Sequence, residues 1–258
     1  MAGPGRKGRR RLDERVVAEG LAESRSQAQG LILSGVVLVD DVPVDKAGFG
    51  VPDTASIRVR GGLRRFVSRG GDKLAGALEE LAIDPQGLGC LDVGASTGGF
   101  TDCLLQAGAE RVIALDVGHG QLHSRLRIDP RVEVVERFNA RELSPEQIAF
   151  PVELVVADVS FISLSLLMPA FARAAPGAEW LLLVKPQFEV GREQVGKGGV
   201  VRDDSLRESA VSKVIEAAGT RGYAAVGRAE SQLPGPRGNR EIFVRFRPRG
   251  TDPETPSL

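Results

Sequence analysis

The chain has 258 residues, of which 42% are apolar, so it can bury a core, and a wholly disordered chain is excluded. Its formal net charge is zero, but residues 1–73 contain 14 Lys and Arg against 9 Asp and Glu. A basic amino-terminal region ahead of an acidic remainder indicates that residues 1–73 bind an anionic partner. Apolar runs are too short for a membrane helix and the basic amino terminus lacks an apolar signal core, so we expect a cytoplasmic protein.

The first 60 residues predict a basic tail followed by a small α+β module. Residues 1–9 are Gly, Pro, Arg and Lys for the most part, and we expect them to be disordered. Leu12–Glu19 predicts a short helix, and Ser24 is suited to cap a second one. Apolar runs on either side of Asp40-Asp41 predict a hairpin, and Ile57–Val59 predicts a further strand. Such a module is too small to stand as a catalytic domain.

This module resembles the alpha-L RNA-binding motif, which a small-subunit ribosomal protein shares with bacterial pseudouridine synthases and some tRNA synthetases. The residues that carry the resemblance are Leu12-Asp13, Gly20-Leu21-Ala22 with Ser24-Arg25, and Gly35–Asp40. It covers residues 10–60 and implies that Arg10, Arg11 and Arg25 face RNA phosphate, where cations release counterions. Residues 61–71 predict a linker, whose Arg64 and Arg65 are further candidates for RNA contacts.

Helices and strands alternate over residues 72–247, which predicts an α/β domain with a Rossmann-like, mostly parallel sheet of seven strands covered on both faces. Residues 248–258 predict a loose tail. Cys90 and Cys103 lie in apolar segments, so we expect buried free thiols. The predicted strands are Leu88–Val93, Val112–Asp116, Val132–Val135, Val152–Asp158, Trp180–Lys185, Ala224–Ala229 and Ile242–Phe246.

The first strand of this domain leads into a small-residue loop that predicts a cofactor site. The next strand ends at Asp116, placed to accept hydrogen bonds from the ribose hydroxyls of a bound adenosine. Ser96 replaces the second glycine of a dinucleotide loop, which disfavours a pyrophosphate and an NAD enzyme and favours S-adenosylmethionine. The candidate cofactor-binding residues are Asp92, Gly94, Ser96, Thr97, Gly98, Gly99, Phe100, Asp116, Asn139 and Asp158.

Two further strands end in Asp158 and Lys185, and ligands of open parallel sheets bind at that edge. A lysine at the end of an apolar strand can accept a proton or orient a hydroxyl. A single such charge is as compatible with a strand end that faces water, but the coincidence of several at successive strand ends favours a site.

Four charged residues stand in distinctive segments: Lys73 in Ser68–Leu74, Asp158 in Ala157–Ser163, Lys185 in Val184–Glu189 and Glu241 in Gly238–Phe243. Together they resemble the Lys-Asp-Lys-Glu tetrad of FtsJ-like ribose 2′-O-methyltransferases. With the module in front, residues 10–247 as a whole are similar to the TlyA (haemolysin A) family of rRNA methyltransferases. The resemblance implies S-adenosylmethionine as methyl donor and cytidine ribose hydroxyls of rRNA or ribosomal subunits as substrate, with no metal. Lys185 is then the candidate general base or hydroxyl orienter, with the other three setting its environment.

Several alternatives stay open at this point. Lys73 is equally compatible with a surface position on a helix, and Glu241 with a strand-edge charge. His119 and His123 are four residues apart, but Gly120 disfavours the helix that a shared metal site would need. A non-catalytic RNA-binding or ribosome-assembly factor would keep the basic amino-terminal region without the tetrad. A membrane-active haemolysin would need an amphipathic or membrane-spanning element, and the sequence predicts neither.

Overall fold

The computed structural model describes residues 9–22, 24–60, 65–235 and 237–250. The chain divides into two compact units, with the boundary between residues 64 and 65. The predicted basic tail at residues 1–8 and the end of the predicted carboxyl-terminal tail at residues 251–258 lie outside the described residues, as do residues 61–64 of the predicted linker.

The first unit is a small α+β module built on one apolar core. Its elements are β1 (Arg9–Arg11), α1 (Leu12–Ala18), α2 (Arg25–Leu33), β2 (Val37–Val39), β3 (Val42–Pro43), β4 (Gly50–Pro52) and β5 (Ile57–Val59). Ser24 caps α2 as predicted, since its Oγ accepts a hydrogen bond from the backbone N–H of Gln27 at 3.2 Å. The hairpin turn at Asp40-Asp41 is also confirmed, with positive φ at both residues.

Strands β1 and β4 pair with each other, and the sequence did not predict them. Arg9–Arg11 has no apolar alternation, so nothing in its composition indicates a strand. Its partner β4 supplies the pairing, with Arg10 opposite the buried Val51. The other strands form a separate sheet in the order β3-β2-β5.

The second unit is an α/β domain with one seven-stranded sheet, as predicted. Its helices are α3 (Arg69–Glu80), α4 (Gly99–Gln106), α5 (Ser124–Arg127), α6 (Met168–Ala174), α7 (Pro186–Glu189) and α8 (Asp204–Gly219). Its strands are β6 (Gly89–Val93), β7 (Arg111–Leu115), β8 (Val132–Val135), β9 (Leu154–Ala157), β10 (Glu179–Val184), β11 (Tyr223–Glu230) and β12 (Ile242–Pro248). Short 3₁₀ turns occur at Ala140–Glu142, Pro145–Gln147, Leu164–Leu166 and Arg192–Gln194.

The topology of this sheet decides which residues can meet. The strand order is β11-β12-β10-β9-β6-β7-β8, and β6 to β10 are mutually parallel where they pair. Strand β12 runs antiparallel to β10, with Ile242 opposite Val184. The beginning of β12 therefore lies at the same edge as the ends of the parallel strands. A residue just before β12 is brought beside residues that follow β9 and β10.

The segment 65–71 differs from the predicted linker. Helix α3 begins at Arg69, and the ring of Phe66 is buried in the core of the second unit. The Phe66 ring can lie this close to α3 only because residue 71 is a glycine: a Cβ there would lie 2.3 Å from Cγ of Phe66. The glycines that suggested a flexible linker instead allow an aromatic ring to pack against a helix. Likewise β12 continues to Pro248, which pairs with Tyr223, so the predicted tail begins too early.

Two apolar layers enclose the sheet. One contains Trp180, whose ring stacks on Tyr223 with 3.6 Å between centroids, and the other contains Phe66, Phe100 and Phe243. Cys90 and Cys103 are buried free thiols, as predicted. Among the helices of the described residues, none combines the length and apolar character needed to cross a membrane.

Candidate active site

A cavity of about 380 Å³ opens at the carboxyl edge of the parallel strands, and all four residues of the predicted tetrad line it. They reach it from four different elements: α3, the segments after β9 and β10, and the residue before β12. The residues that line the cavity are Lys73, Asp158, Ser160, Phe161, Lys185, Gln187, Phe188, Val195, Gly199, Arg237, Asn239 and Glu241. Lys73 and Glu241 are 168 residues apart in sequence, so only the fold brings them together.

Lys73 and Glu241 form a buried ion pair on one side of this cavity. The Nζ of Lys73 donates to Oε2 of Glu241 at 2.5 Å, and the two side chains are 9% and 0% exposed. The second oxygen of Glu241, Oε1, is buried without a hydrogen-bond partner among the described residues. These positions exclude both a surface role for Lys73 and a solvent-facing strand-edge charge at position 241.

Lys185 and Asp158 form the second pair, which is more open. Nζ of Lys185 lies 2.5 Å from Oδ1 of Asp158 and donates to Oγ of Ser160 at 3.0 Å. The Lys185 side chain is 11% exposed and that of Asp158 23%. The sequence predicted that the tetrad would meet, but it did not predict this division into two lysine–carboxylate pairs.

The predicted cofactor loop follows β6 and is shaped by backbone contacts. The N–H groups of Ser96 and Gly118 donate to the carboxylate of Asp116 at 2.8 and 2.6 Å and fix its orientation. Gly94 has a φ of +85°, and a Cβ there would lie 2.7 Å from the carbonyl oxygen of Asp158. The arrangement fits S-adenosylmethionine, because a loop of small residues borders an oriented carboxylate that can accept from ribose hydroxyls.

Two of the predicted cofactor contacts need correction. The carboxylate of Asp92 is fully buried beneath the loop, where Oδ2 accepts from Oγ1 of Thr101 at 2.6 Å. Burial raises the pKa of Asp92 to about 7. The ring of Phe100 is also buried and packs against Phe243, 6.0 Å between centroids. In this structure neither side chain is open to a ligand, because the alternation of β6 and the amphipathic face of α4 turn both into the core.

The remaining cofactor candidates differ in their surroundings. Thr97 is exposed, Gly98 and Gly99 are buried at the start of α4, and a Cβ at Gly98 would meet Leu126 at 2.3 Å. Asn139 follows β8, and its Oδ1 accepts from the N–H of Arg141 at 3.2 Å, so it caps a 3₁₀ turn. A role for these residues in binding the cofactor stays a prediction.

Sequence reasoning missed an aromatic pair at the cavity. Phe161 is 92% exposed and has a φ of +67°, and its ring lies 5.2 Å from that of Phe188. A bulky residue in the left-handed region is strained, and burial does not compensate an exposed ring. The available signal was an aromatic residue three positions after Asp158, the acid at the end of β9.

The predicted RNA contacts in the first unit are exposed arginines that already have carboxylate neighbours. Arg10 pairs with Asp53 at 3.0 Å, and both Arg11 and Arg25 pair with the buried Asp13, at 2.9 and 3.0 Å. The hydrogen bond from Arg11 holds the pKa of the Asp13 carboxyl well below its usual range. These ion pairs leave the guanidinium groups at the surface.

The other two predicted contacts, Arg64 and Arg65, are the residues on either side of the boundary between the two units. Arg64 lies outside the described residues. The guanidinium of Arg65 lies over the ring of Phe66, 4.8 Å from its centroid.

The two histidines show no arrangement for a metal. His123 caps the start of α5, where its Nδ1 accepts from the N–H of Arg125 at 3.4 Å, and Nε2 of His119 lies 4.0 Å from the Glu136 carboxylate. In the described part of the chain, no three His, Cys, Asp or Glu side chains are grouped so that they could hold a metal ion.

Comparison with known proteins agrees with this geometry. Residues 66–247 match the FtsJ-like methyltransferase family, and residues 10–56 match the S4 domain. The 16S/23S rRNA (cytidine-2′-O)-methyltransferase TlyA of Mycobacterium tuberculosis is 52% identical over 241 residues, which cover 93% of this chain and 90% of that protein. Hemolysin A of Brachyspira hyodysenteriae is 45% identical, over 92% of this chain and 99% of that protein.

A solved structure from Streptococcus thermophilus that carries a hemolysin name is 38% identical. It superposes with a TM-score of 0.73 and covers 93% of this chain and 89% of its own. The match to the family extends over more than half of the chain. The chain therefore belongs to the family of FtsJ-like methyltransferases, which take their methyl group from S-adenosylmethionine, and it carries an S4 domain ahead of the methyltransferase domain.

Proposed function

We propose that this protein transfers a methyl group from S-adenosylmethionine to the 2′-hydroxyl of a cytidine ribose in ribosomal RNA. The observation that carries the proposal is the meeting of both lysine–carboxylate pairs in one cavity. That cavity adjoins the cofactor loop, since Gly94 packs directly against the backbone of Asp158. The M. tuberculosis relative is named for the same reaction on 16S and 23S rRNA.

Because the methyl donor is already an activated electrophile, the enzyme has to supply the positioning of the two reactants and an acceptor for the hydroxyl proton. S-adenosylmethionine supplies a methyl group on a positively charged sulfur, which leaves as a neutral thioether. The ribose O–H bond breaks as the O–CH₃ bond forms, so the hydroxyl proton needs an acceptor. Lys185 is the candidate: its Nζ orients the hydroxyl, its neutral form takes the proton, and Asp158 stabilises the ammonium that results.

The buried pair has a different proposed role. Lys73 and Glu241 are enclosed, so they are suited to hold the wall of the cavity and the ribose rather than to exchange protons with solvent. The partnerless Oε1 of Glu241 is an acceptor that a ribose hydroxyl can satisfy.

Features outside the tetrad support an RNA substrate. The exposed Phe161 and its neighbour Phe188 offer π faces on which a base can stack at the cavity. The S4 domain, which we place at residues 10–60, presents Arg10, Arg11 and Arg25 for phosphate contacts. A substrate in ribosomal subunits implies that the enzyme works in the cytoplasm.

The test uses ribosomal subunits and S-adenosylmethionine labelled in its methyl group. A 2′-O-methyl group blocks alkaline hydrolysis at its own linkage, so digestion should release the label in an alkali-resistant dinucleotide that contains cytidine. Label in mononucleotides would indicate base methylation. Binding to subunits without any transfer would instead favour a non-catalytic assembly factor. Either result would reject the proposal.

A further inference from the structure

The open pair is carried by two loops rather than by regular elements. Asp158 and Ser160 lie in the loop that leaves β9, and Lys185 is the residue between β10 and α7. Phe161, in the same loop as Asp158, holds a strained backbone conformation although its ring is exposed. Some contact other than burial of that ring has to hold this loop in place.

Glu189, the last residue of α7, supplies such a contact. Its Oε2 accepts from Oγ of Ser163 at 2.5 Å and its Oε1 accepts from the backbone N–H of Leu164 at 2.9 Å. Oγ of Ser163 also lies 2.7 Å from Oγ of Ser165, at the start of the 3₁₀ turn Leu164–Leu166. One carboxylate thus joins the segment after Lys185 to the end of the loop after Asp158.

The hydrogen bonds of the Glu189 carboxylate fit a structural role. Each oxygen has its own donor, and the backbone N–H of Leu164 is a free donor of the turn that needs an acceptor. Burial raises the pKa of Glu189, and the two hydrogen bonds act in the opposite direction. Glu189 does not line the cavity, so it is not in contact with the place where a substrate would react.

We propose that Glu189 is a positioning residue, which clamps the loop after β9 against the segment after β10 and so fixes the distance between Asp158 and Lys185. The clamp also holds Phe161 at the cavity. This inference rests on the proposed ribose methylation. It assigns to Glu189 an effect on turnover and on RNA binding, but not on binding of the cofactor, whose loop follows β6.

Three variants separate the clamp from general stability. Glu189→Ala removes both acceptors. Glu189→Gln can keep both hydrogen bonds with one of them reversed, because its carbonyl oxygen can accept from the N–H of Leu164 and its amide can donate to Oγ of Ser163. Ser163→Ala removes one of the two hydrogen bonds to Glu189, together with the contacts between Oγ of Ser163 and Ser165, and leaves the bond from the backbone of Leu164.

The measurements are methyl transfer to ribosomal subunits, with kcat and KM determined separately, and affinity for S-adenosylhomocysteine by calorimetry. We expect Glu189→Ala to lower kcat at least tenfold, with cofactor affinity within twofold of the wild type. Glu189→Gln should recover kcat to within threefold of the wild type, and Ser163→Ala should lie between the two. Hydrogen exchange of the free protein should show faster exchange at residues 158–166 in Glu189→Ala but not in Glu189→Gln.

Two results would overturn the clamp. One is a Glu189→Ala protein that is folded and has wild-type kcat. The other is loss of cofactor affinity in parallel with kcat, which would indicate general destabilisation. If Glu189→Ala does not fold, Ser163→Ala decides: a kcat equal to the wild type rejects the clamp, and a loss of threefold or more supports it. A wild-type enzyme that does not methylate ribose would reject the proposed function, while the exchange measurement would still report on the clamp.

Discussion

The two lysine–carboxylate pairs of the cavity have the same chemical composition but different surroundings. The two lysines are similarly covered, at 9% and 11% exposure, but the Glu241 carboxylate is fully buried whereas that of Asp158 is 23% exposed. Lys185 also donates to the hydroxyl of Ser160. Removing one partner of a buried pair is costly, because it leaves an uncompensated charge away from water, whereas a partner left at a partly exposed site keeps access to solvent. The comparison separates a pair that supports the cavity from a pair that is available for chemistry.

The largest expected effect is on turnover, from the open pair. Lys185→Ala removes the candidate proton acceptor, and we expect kcat to fall about 10²–10⁴-fold, the usual range for loss of a general acid or base. Cofactor affinity should stay within about twofold of the wild type. Methyl transfer and calorimetry with S-adenosylhomocysteine check both numbers. Near-normal turnover would remove Lys185 from the mechanism.

Substitutions in the buried pair should lower the free energy of unfolding more than substitutions in the open pair. Glu241→Gln leaves the ammonium of Lys73 enclosed without a countercharge, and we expect a loss of about 3–5 kcal/mol in the free energy of unfolding. Asp158→Asn, the matched change in the open pair, should cost clearly less. Urea unfolding can be followed by the fluorescence of Trp180, which is the single tryptophan of the chain and lies in the core of the second unit.

The double variant Lys73→Met with Glu241→Gln sharpens the same comparison. It removes the charge together with its partner, so most of the lost stability should return while methyl transfer stays impaired. Equal costs for Glu241→Gln and Asp158→Asn would contradict the distinction between the two pairs.

The aromatic pair beside the open ion pair should affect RNA binding alone. Phe161→Ala removes an exposed ring, so we expect a change in stability within about 0.5 kcal/mol. Loss of one base-stacking contact should raise KM for RNA about fivefold or more. Ile128→Ala is the control, since Ile128 is 81% exposed and does not line the cavity. An unchanged KM would show that no base stacks at this position.

Asp92 is a fully buried carboxylate without a lysine partner, and its burial predicts a pH dependence of stability. Its pKa is raised to about 7 by burial, from an ordinary value near 4. The folded state therefore keeps a proton that the unfolded state has lost, so stability falls as pH rises from about 4 to 7. Between pH 5.5 and pH 7.5 the contribution is about 1–2 kcal/mol. In Asp92→Asn this pH dependence should disappear from urea unfolding curves, and an unchanged slope would exclude Asp92 as its source.

Most of the second unit could be predicted from its sequence because the strands are short apolar runs with charged ends. All seven predicted strands are present, and β8 has the predicted bounds. The order of elements also placed the loop after β6 and Asp116 at the same edge of the sheet. The tetrad could be named because its four segments resemble those of a known family.

What the sequence could not supply depends on contacts between distant segments. The pairing of Lys73 with Glu241 follows from the reversed direction of β12, which no local pattern encodes. Arg9–Arg11 forms a strand only because β4 lies beside it. The buried Phe66 and the clamp by Glu189 are likewise set by packing and by hydrogen bonds across loops, so composition alone pointed to a linker in the first case and to nothing in the second.

The reversed strand has a consequence for the time at which the protein becomes competent. Glu241 stands before β12, so a ribosome has to synthesise nearly the whole described chain before Lys73 can find its countercharge. Until then, a nascent polypeptide that already has the glycine loop and Lys185 carries an unneutralised ammonium where the pocket will form. The pocket therefore cannot be completed by the amino-terminal part of this domain alone, because Glu241 has to be present to neutralise Lys73.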